Sequence, residues 1–119
     1  VMIHDSQRAL TKITQFDRVL EALSSSIDAV RPVSAFTETL KSINADQYIE
    51  GTIDRNSMKR VSTPELIRLS AIDPEGGEST WFVPTKTGAQ ISTVEAEAES
   101  ARINSEKELE LMKHLLERN

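Results

Sequence analysis

The sequence predicts a mainly α-helical fold with one small β-hairpin: a three-helix core, the hairpin, then a long C-terminal helix. Three observations carry that prediction. Leu10, Ile13, Phe16, Leu20, Leu23, Ile27 and Val30 recur at the three- and four-residue steps of a single helix seam. Between Val61 and Gly88, two apolar runs flank the dense turn signal Asp73-Pro74-Glu75-Gly76-Gly77-Glu78. Ser92–Arg118 opens on a hydroxyl cap and glutamates and closes on Lys113, His114 and Arg118, the polarity that complements a helix dipole.

With 119 residues, the chain is read as a single domain, 1–119. The first helix spans 6–30. Asp5 or Ser6 caps it, Ser24-Ser25-Ser26 weakens it, and Arg31-Pro32 ends it, because the residue before proline is pushed out of helical space. A helix-turn-helix-like unit follows over 33–60. Its short helix, Val33–Ile43, buries Phe36, Leu40 and Ile43. Asn44-Ala45-Asp46 makes the turn, and Ala45–Arg60 carries Tyr48, Ile49 and Ile53 on its apolar side. The hairpin occupies 65–85, with an alternating Glu65–Ile72 and a β-branched and aromatic Ser79–Thr85. Ser62-Thr63-Pro64-Glu65 is also a good helix start, so a two-turn helix over 65–72 stays open beside the strand. The element at 92–118 is a dimerisation or docking helix. Its length of about 40 Å exceeds what so small a domain needs.

Composition narrows the function classes. Apolar residues make up 38% and charged residues 28%, as expected of a small globular domain. There is no Cys, hence no disulfide framework, thiolate metal site or cysteine nucleophile. No apolar run approaches the roughly 18 residues of a membrane span, so a soluble, intracellular, cytoplasmic protein is expected. The net charge of −5 argues against a surface that coats nucleic acid throughout, though not against a local basic patch. No cofactor and no metal are expected. Glu110 and His114, one helical turn apart, read as a solvated pair, and Gly76-Gly77 lacks the spacing of a phosphate loop. Nothing marks an acid–base or nucleophilic constellation, so the expectation is a non-enzyme.

The order helix, short helix, helix, hairpin, long helix resembles a winged helix-turn-helix domain. The segment from Leu66 to Gly88 is similar to the wing of MarR-type and PadR-type regulators: an apolar strand, an acidic Pro-Gly tip, an aromatic strand, and a turn, here Thr85-Lys86-Thr87-Gly88. The resemblance implies a dimeric DNA-binding transcription regulator whose third helix enters the major groove of double-stranded DNA. Its DNA-facing candidates are Gln47, Thr52, Arg55, Asn56, Lys59 and Arg60, with Arg68 and Lys86 on the wing. Trp81 would close the wing against the core.

Two other functions stay open. Asp46, Glu50 and Asp54 on the proposed recognition helix, and Asp73, Glu75 and Glu78 at the wing tip, oppose phosphate binding. They favour a protein–protein assembly module whose long helices bundle or form a coiled coil. In either case the expected homodimer interface comprises Leu10, Ile13, Leu20, Leu109, Met112, Leu115 and Leu116. An acidic inhibitor protein is a further alternative, supported by net charge alone.

Overall fold

A computed structural model describes residues 1–76 and 83–117. It overturns the mainly α expectation: the described residues form an α/β fold with two α-helices and seven strands. The strands are β1 (Met2–Ile3), β2 (Ala29–Ala35), β3 (Leu40–Ile43), β4 (Ile49–Ile53), β5 (Lys59–Val61), β6 (Glu65–Ile67) and β7 (Ile91–Glu95). The helices are α1 (Ile13–Glu21) and α2 (Glu106–Glu117).

The main sheet has five strands in the order β1-β6-β2-β5, with β7 on the other edge of β2. β6 is antiparallel to β1 and β2, and β7 is parallel to β2. β1, β2 and β7 therefore run in one direction. β5 and β6 share one edge of β2, separated by Ser62-Thr63-Pro64 with a cis Thr63–Pro64 peptide. Pro32 lies opposite that gap, where its carbonyl accepts from the Ser62 N–H at 2.8 Å. Its missing N–H faces the same gap, so proline interrupts no ladder there.

Side-chain alternation divides the sheet. Val30 and Leu66 face α1 and pack on Val19, with Met2, Leu23, Ile27 and Val94 around them. Ala29 and Ile67 point to the opposite face, against Ala71 and Ile72. The first of these clusters explains why the N-terminal seam looked continuous. Leu23 and Ile27 are half-buried and Val30 buried beside α1, but the helix spans only Ile13–Glu21 and the chain returns as β2.

The helix-turn-helix-like unit expected over 33–60 is instead all strand and turn: Val33–Ile43 is the end of β2 and the strand β3, and 45–60 holds β4, a 3-10 turn and the start of β5, with β3 and β4 forming an arm. Asn44 caps a hairpin turn and not a helix: its Oδ1 accepts from the Asp46 and Tyr48 N–H groups at 2.9 and 3.1 Å. Gln47 takes the left-handed conformation at φ 71°. Among the described residues β3 and β4 pair only with each other. The radius of gyration, 16.6 Å, exceeds the roughly 13.5 Å of a compact chain of this length, as a projecting arm requires.

The open choice over 65–72 resolves into strand β6 followed by a 3-10 turn at Leu69–Ala71. β6 pairs inside the main sheet. Asp73–Gly76 forms a tight turn with Gly76 so close to Pro84 that an added Cβ would sit 2.6 Å from the proline Cβ. The second strand expected at Ser79–Thr85, with Trp81, lies largely outside the described residues; within them, Ile72 and Thr85 form a single antiparallel bridge. The long helix over 92–118 divides into β7, a 3-10 turn at Ala98–Ser100, and α2. Among the described residues no helix is long and apolar enough to cross a membrane.

Candidate active site at the strand ends

A cavity of about 420 Å³ opens where β1, β2 and β7 end. In open α/β sheets the carboxyl ends of parallel strands are where ligands bind, because loops there can diverge and leave a crevice. Arg8, Ser34, Arg60, Ser62, Glu97, Ser100 and Arg102 are among its lining residues.

The loop after β1 supplies the first wall. The Asp5 N–H donates to the Thr63 hydroxyl at 3.1 Å. The same hydroxyl lies 3.1 Å from His4 Nδ1, and His4 Nε2 lies 3.1 Å from the Arg8 carbonyl. A carbonyl only accepts, so Nε2 carries a proton. In the neutral ring Nδ1 then accepts from Thr63. His4 also packs against Phe16 of α1 at a tilt of 58°, with ring centroids 5.1 Å apart. This network fixes the path from His4 to Arg8 and aims Asp5 and Arg8 inward.

Asp5 stands between two guanidinium groups. Its Oδ2 is 3.7 Å from Arg8 Nε and 3.5 Å from Arg102 Nε. Arg8 Nη1 donates to the Ser100 carbonyl at 2.9 Å. Arg102 donates to Gln7 Oε1 from Nε at 2.7 Å and from Nη2. Burial pushes the Arg8 pKa down from its ordinary value; Asp5 opposes that shift and Arg102 adds to it. A positive charge held short of solvent, with a second cation nearby, favours an incoming anion. Arg60 comes from β5 on the far side. Its guanidinium carbon lies 5.0 Å from the Phe36 ring centroid, a cation–π contact at the root of the arm. Among the described residues no cluster of His, Asp or Glu could hold a metal.

The residues expected to face DNA do not form one surface. Gln47 sits in the arm turn, Thr52 on β4, and Arg55 and Asn56 in the 3-10 turn Arg55–Ser57. Lys59 and Arg60 lie on β5. Arg68 is turned into the body, donating to the Ile27 and Ser24 carbonyls at 2.9 and 2.7 Å. Arg60 reaches the main cavity, and Lys86 lines a smaller one of about 190 Å³. Of the residues expected at a dimer interface, Met112 is buried. Leu10, Leu109 and Leu115 are half-buried, and Ile13, Leu20 and Leu116 are exposed.

Asp5, Arg8, Ser100 and Arg102 did not stand out in the sequence. The available signal was short: the apolar Val1-Met2-Ile3 run into His4-Asp5, then Arg8 before α1, which is a strand, loop and helix start. Asp5 fits the cap of a longer helix equally well.

Fold and cavity together define an α/β protein with an arginine-lined crevice at its strand ends. The chain belongs to the family described as IspD, 2-C-methyl-D-erythritol 4-phosphate cytidylyltransferase, which it matches over residues 1–118. It is 30% identical to the enzyme of that name from Rhodococcus jostii, across 98% of this chain and 54% of the relative. It is 29% identical to the one from Nocardia farcinica, across 98% and 53%. The chain thus spans about half the length of the curated relatives it matches. The fold agrees with the crystal structure of the Thermus thermophilus cytidylyltransferase, at a TM-score of 0.74 and 22% identity over 98% of this chain and 61% of that one. It agrees equally with the 4-diphosphocytidyl-2C-methyl-D-erythritol synthase of Anaerococcus prevotii, at 0.74 and 19% over 99% and 58%. Family membership overturns the winged-helix resemblance, the DNA-binding regulator, the assembly module and the acidic inhibitor, and with them the expectation of a non-enzyme.

Proposed function

We propose that this chain carries the acceptor-phosphate part of a cytidylyltransferase site and binds 2-C-methyl-D-erythritol 4-phosphate. The observation that carries this reading is the convergence of Arg8, Arg60 and Arg102 on one cavity, with Asp5 holding the first and last. In the reaction that the relatives' names describe, an oxygen of the acceptor phosphate attacks the phosphorus of a cytidylyl group. The bond to the donor's leaving group breaks, the electron pair departs with that group, and a diphosphate linkage results. Two phosphate-bearing molecules must approach each other, so the protein's work is largely charge neutralisation and positioning. Arg8 and Arg102 would hold the acceptor phosphate, and Asp5 keeps their forks apart and oriented.

Titration calorimetry with 2-C-methyl-D-erythritol 4-phosphate, and with 2-C-methyl-D-erythritol as the uncharged control, tests this. Charge-assisted hydrogen bonds worth about 1.5–3 kcal/mol each support affinity in the millimolar range or better. The phosphate ester should bind, the alcohol should not, and Arg8→Met should abolish binding. Equal behaviour of ester and alcohol would overturn the reading.

The homodimer expected from the sequence belongs to the same proposal. The arm favours it, with Ile43, Tyr48 and Ile49 at 57%, 69% and 66% exposure. An intracellular setting also belongs here, in keeping with the lack of Cys.

A further inference from the structure

The cavity wall from Ala96 to Arg102 has almost nothing apolar with which to hold itself in place. Its side chains include Ala96, Ala98 and Ala101, too small to anchor a segment by packing. Polar contacts from α1 and the residue before it fasten it instead. Lys12 meets Glu99 at 3.1 Å, Arg18 meets Glu97 at 3.3 Å, and the Thr14 hydroxyl donates to the Glu97 carboxylate at 2.9 Å. Those contacts are at the surface: the Lys12 and Arg18 side chains are 43% and 56% exposed, so solvent and salt weaken them.

Gln15 differs. It is fully buried, at 0% exposure, and both ends of its amide hydrogen-bond to residues 95–100. Oε1 accepts from the Glu97 N–H at 2.6 Å and from the Ser100 hydroxyl at 3.3 Å, while Nε2 donates to the Glu95 carbonyl at 3.2 Å. Away from water such bonds are stronger, and losing the amide removes all three at once. Both inner arginines hang on the segment that Gln15 fastens. Arg102 is part of it, and Arg8 Nη1 donates to the Ser100 carbonyl at 2.9 Å.

We propose that Gln15 is a positioning residue that sets the spacing of Arg8 and Arg102, and hence the cavity's affinity for the acceptor phosphate. The inference rests on the functional reading above. Gln15 does not touch the ligand and acts through the wall.

The test compares the wild-type chain with Gln15→Met, of equal length but without polar atoms, and Gln15→Glu, which keeps an acceptor for the Glu97 N–H and the Ser100 hydroxyl. Val19→Ala, a core change on the same helix, controls for destabilisation. The probe is 2-C-methyl-D-erythritol 4-phosphate, titrated well below each variant's Tm. Gln15→Met should bind about tenfold more weakly, Gln15→Glu should recover part of the loss, and Val19→Ala should bind as the wild type does. In the wild-type chain, ligand should slow hydrogen exchange at the Glu97 amide, a readout that needs no variant to fold. A folded Gln15→Met variant with unchanged affinity, or a Glu97 amide indifferent to ligand, would overturn the role of Gln15 while leaving the functional reading intact. A wild-type chain that binds no ester would refute the functional reading, and the role of Gln15 with it.

Discussion

Arg31 and Glu65 face each other across β2 and β6, with Arg31 Nη2 and Glu65 Oε1 2.8 Å apart. The side chains are 13% and 1% exposed. Among the described residues the other Glu65 oxygen and Arg31 Nε have no hydrogen-bond partner. The pair is thus desolvated but incompletely satisfied, the situation in which Coulomb attraction hardly repays the cost of burial. Replacing Arg31 by Met leaves a carboxylate buried without its counter-ion and should cost about 3–5 kcal/mol. Unfolding entropy of about 2.1 cal/mol/K per residue makes that a fall in Tm of about 12–20 °C for a chain of this length. Replacing both, Arg31→Met with Glu65→Leu, should return most of the loss or stabilise the chain beyond wild type. Urea unfolding followed by far-UV circular dichroism, with m-values compared to confirm a common unfolding reaction, measures all these variants. Two results would refute the reasoning: a single Arg31→Met change costing under about 1 kcal/mol, which is the scale of a surface pair, or a double variant as unstable as the single.

Arg60 supplies a cation whose aim depends on Phe36, so Phe36→Leu should weaken binding of 2-C-methyl-D-erythritol 4-phosphate about two- to fivefold, the worth of an exposed cation–π contact. Arg60→Lys, which keeps the charge but loses the planar stack, should do the same; calorimetry decides, and an unaltered affinity in both would remove Arg60 from the site. The Glu99 carboxyl is held below its ordinary pKa of 4.5, first by a backbone hydrogen bond and then by Lys12. A folded-state value below the unfolded one gives stability that is present above about pH 4.5 and lost as pH falls through the folded value. Glu99→Gln should therefore flatten the acid limb of the stability curve measured between neutral pH and pH 3, and an unchanged slope would contradict the assignment. Ile43→Ser with Ile49→Ser on the arm should convert a dimer to a monomer in light scattering at micromolar concentration. Persistence of the dimer would place its interface elsewhere.

What the sequence made legible were buried positions and turns more than elements. Leu23, Ile27 and Val30 of the seam pack with Val19, but three- and four-residue spacing cannot distinguish a helix that continues from one that stops and hands its apolar side to a strand. Ser24-Ser25-Ser26 and Pro32 were the cues that it stops. Asn44 carried the same ambiguity, since its side chain accepts from a following N–H whether it caps a helix or closes a hairpin. Only long-range pairing of β3 with β4 decides between them. Ile91–Glu95 alternates with β-branched residues, yet the glutamates and alanines after it fit a helix start equally well. The site was the least legible part, because Asp5, Arg8 and Arg102 come from opposite ends of the chain and meet only through the parallel register of β2 and β7 and the return of β1 beside β6.

The polar fastening of that site follows from the proposed function. A crevice for a phosphate ester needs backbone and guanidinium groups brought close together, and alanines in its wall leave room for the approach. Small side chains cannot supply packing energy, so hydrogen bonds must position the wall, and they do so durably only where water is excluded. Thr63 and Gln15, both at 0% exposure, stand at those two places: one ties the loop after β1 to the β5–β6 junction, the other ties the loop after β7 to α1. Each holds backbone on one side of an arginine. The sheet beneath contributes what polar contacts cannot, a fixed separation between the ends of β1 and β7. On this argument substitutions at Thr63 or Gln15 weaken ligand binding more than they lower Tm, whereas substitutions at Val19 or Leu66 do the reverse.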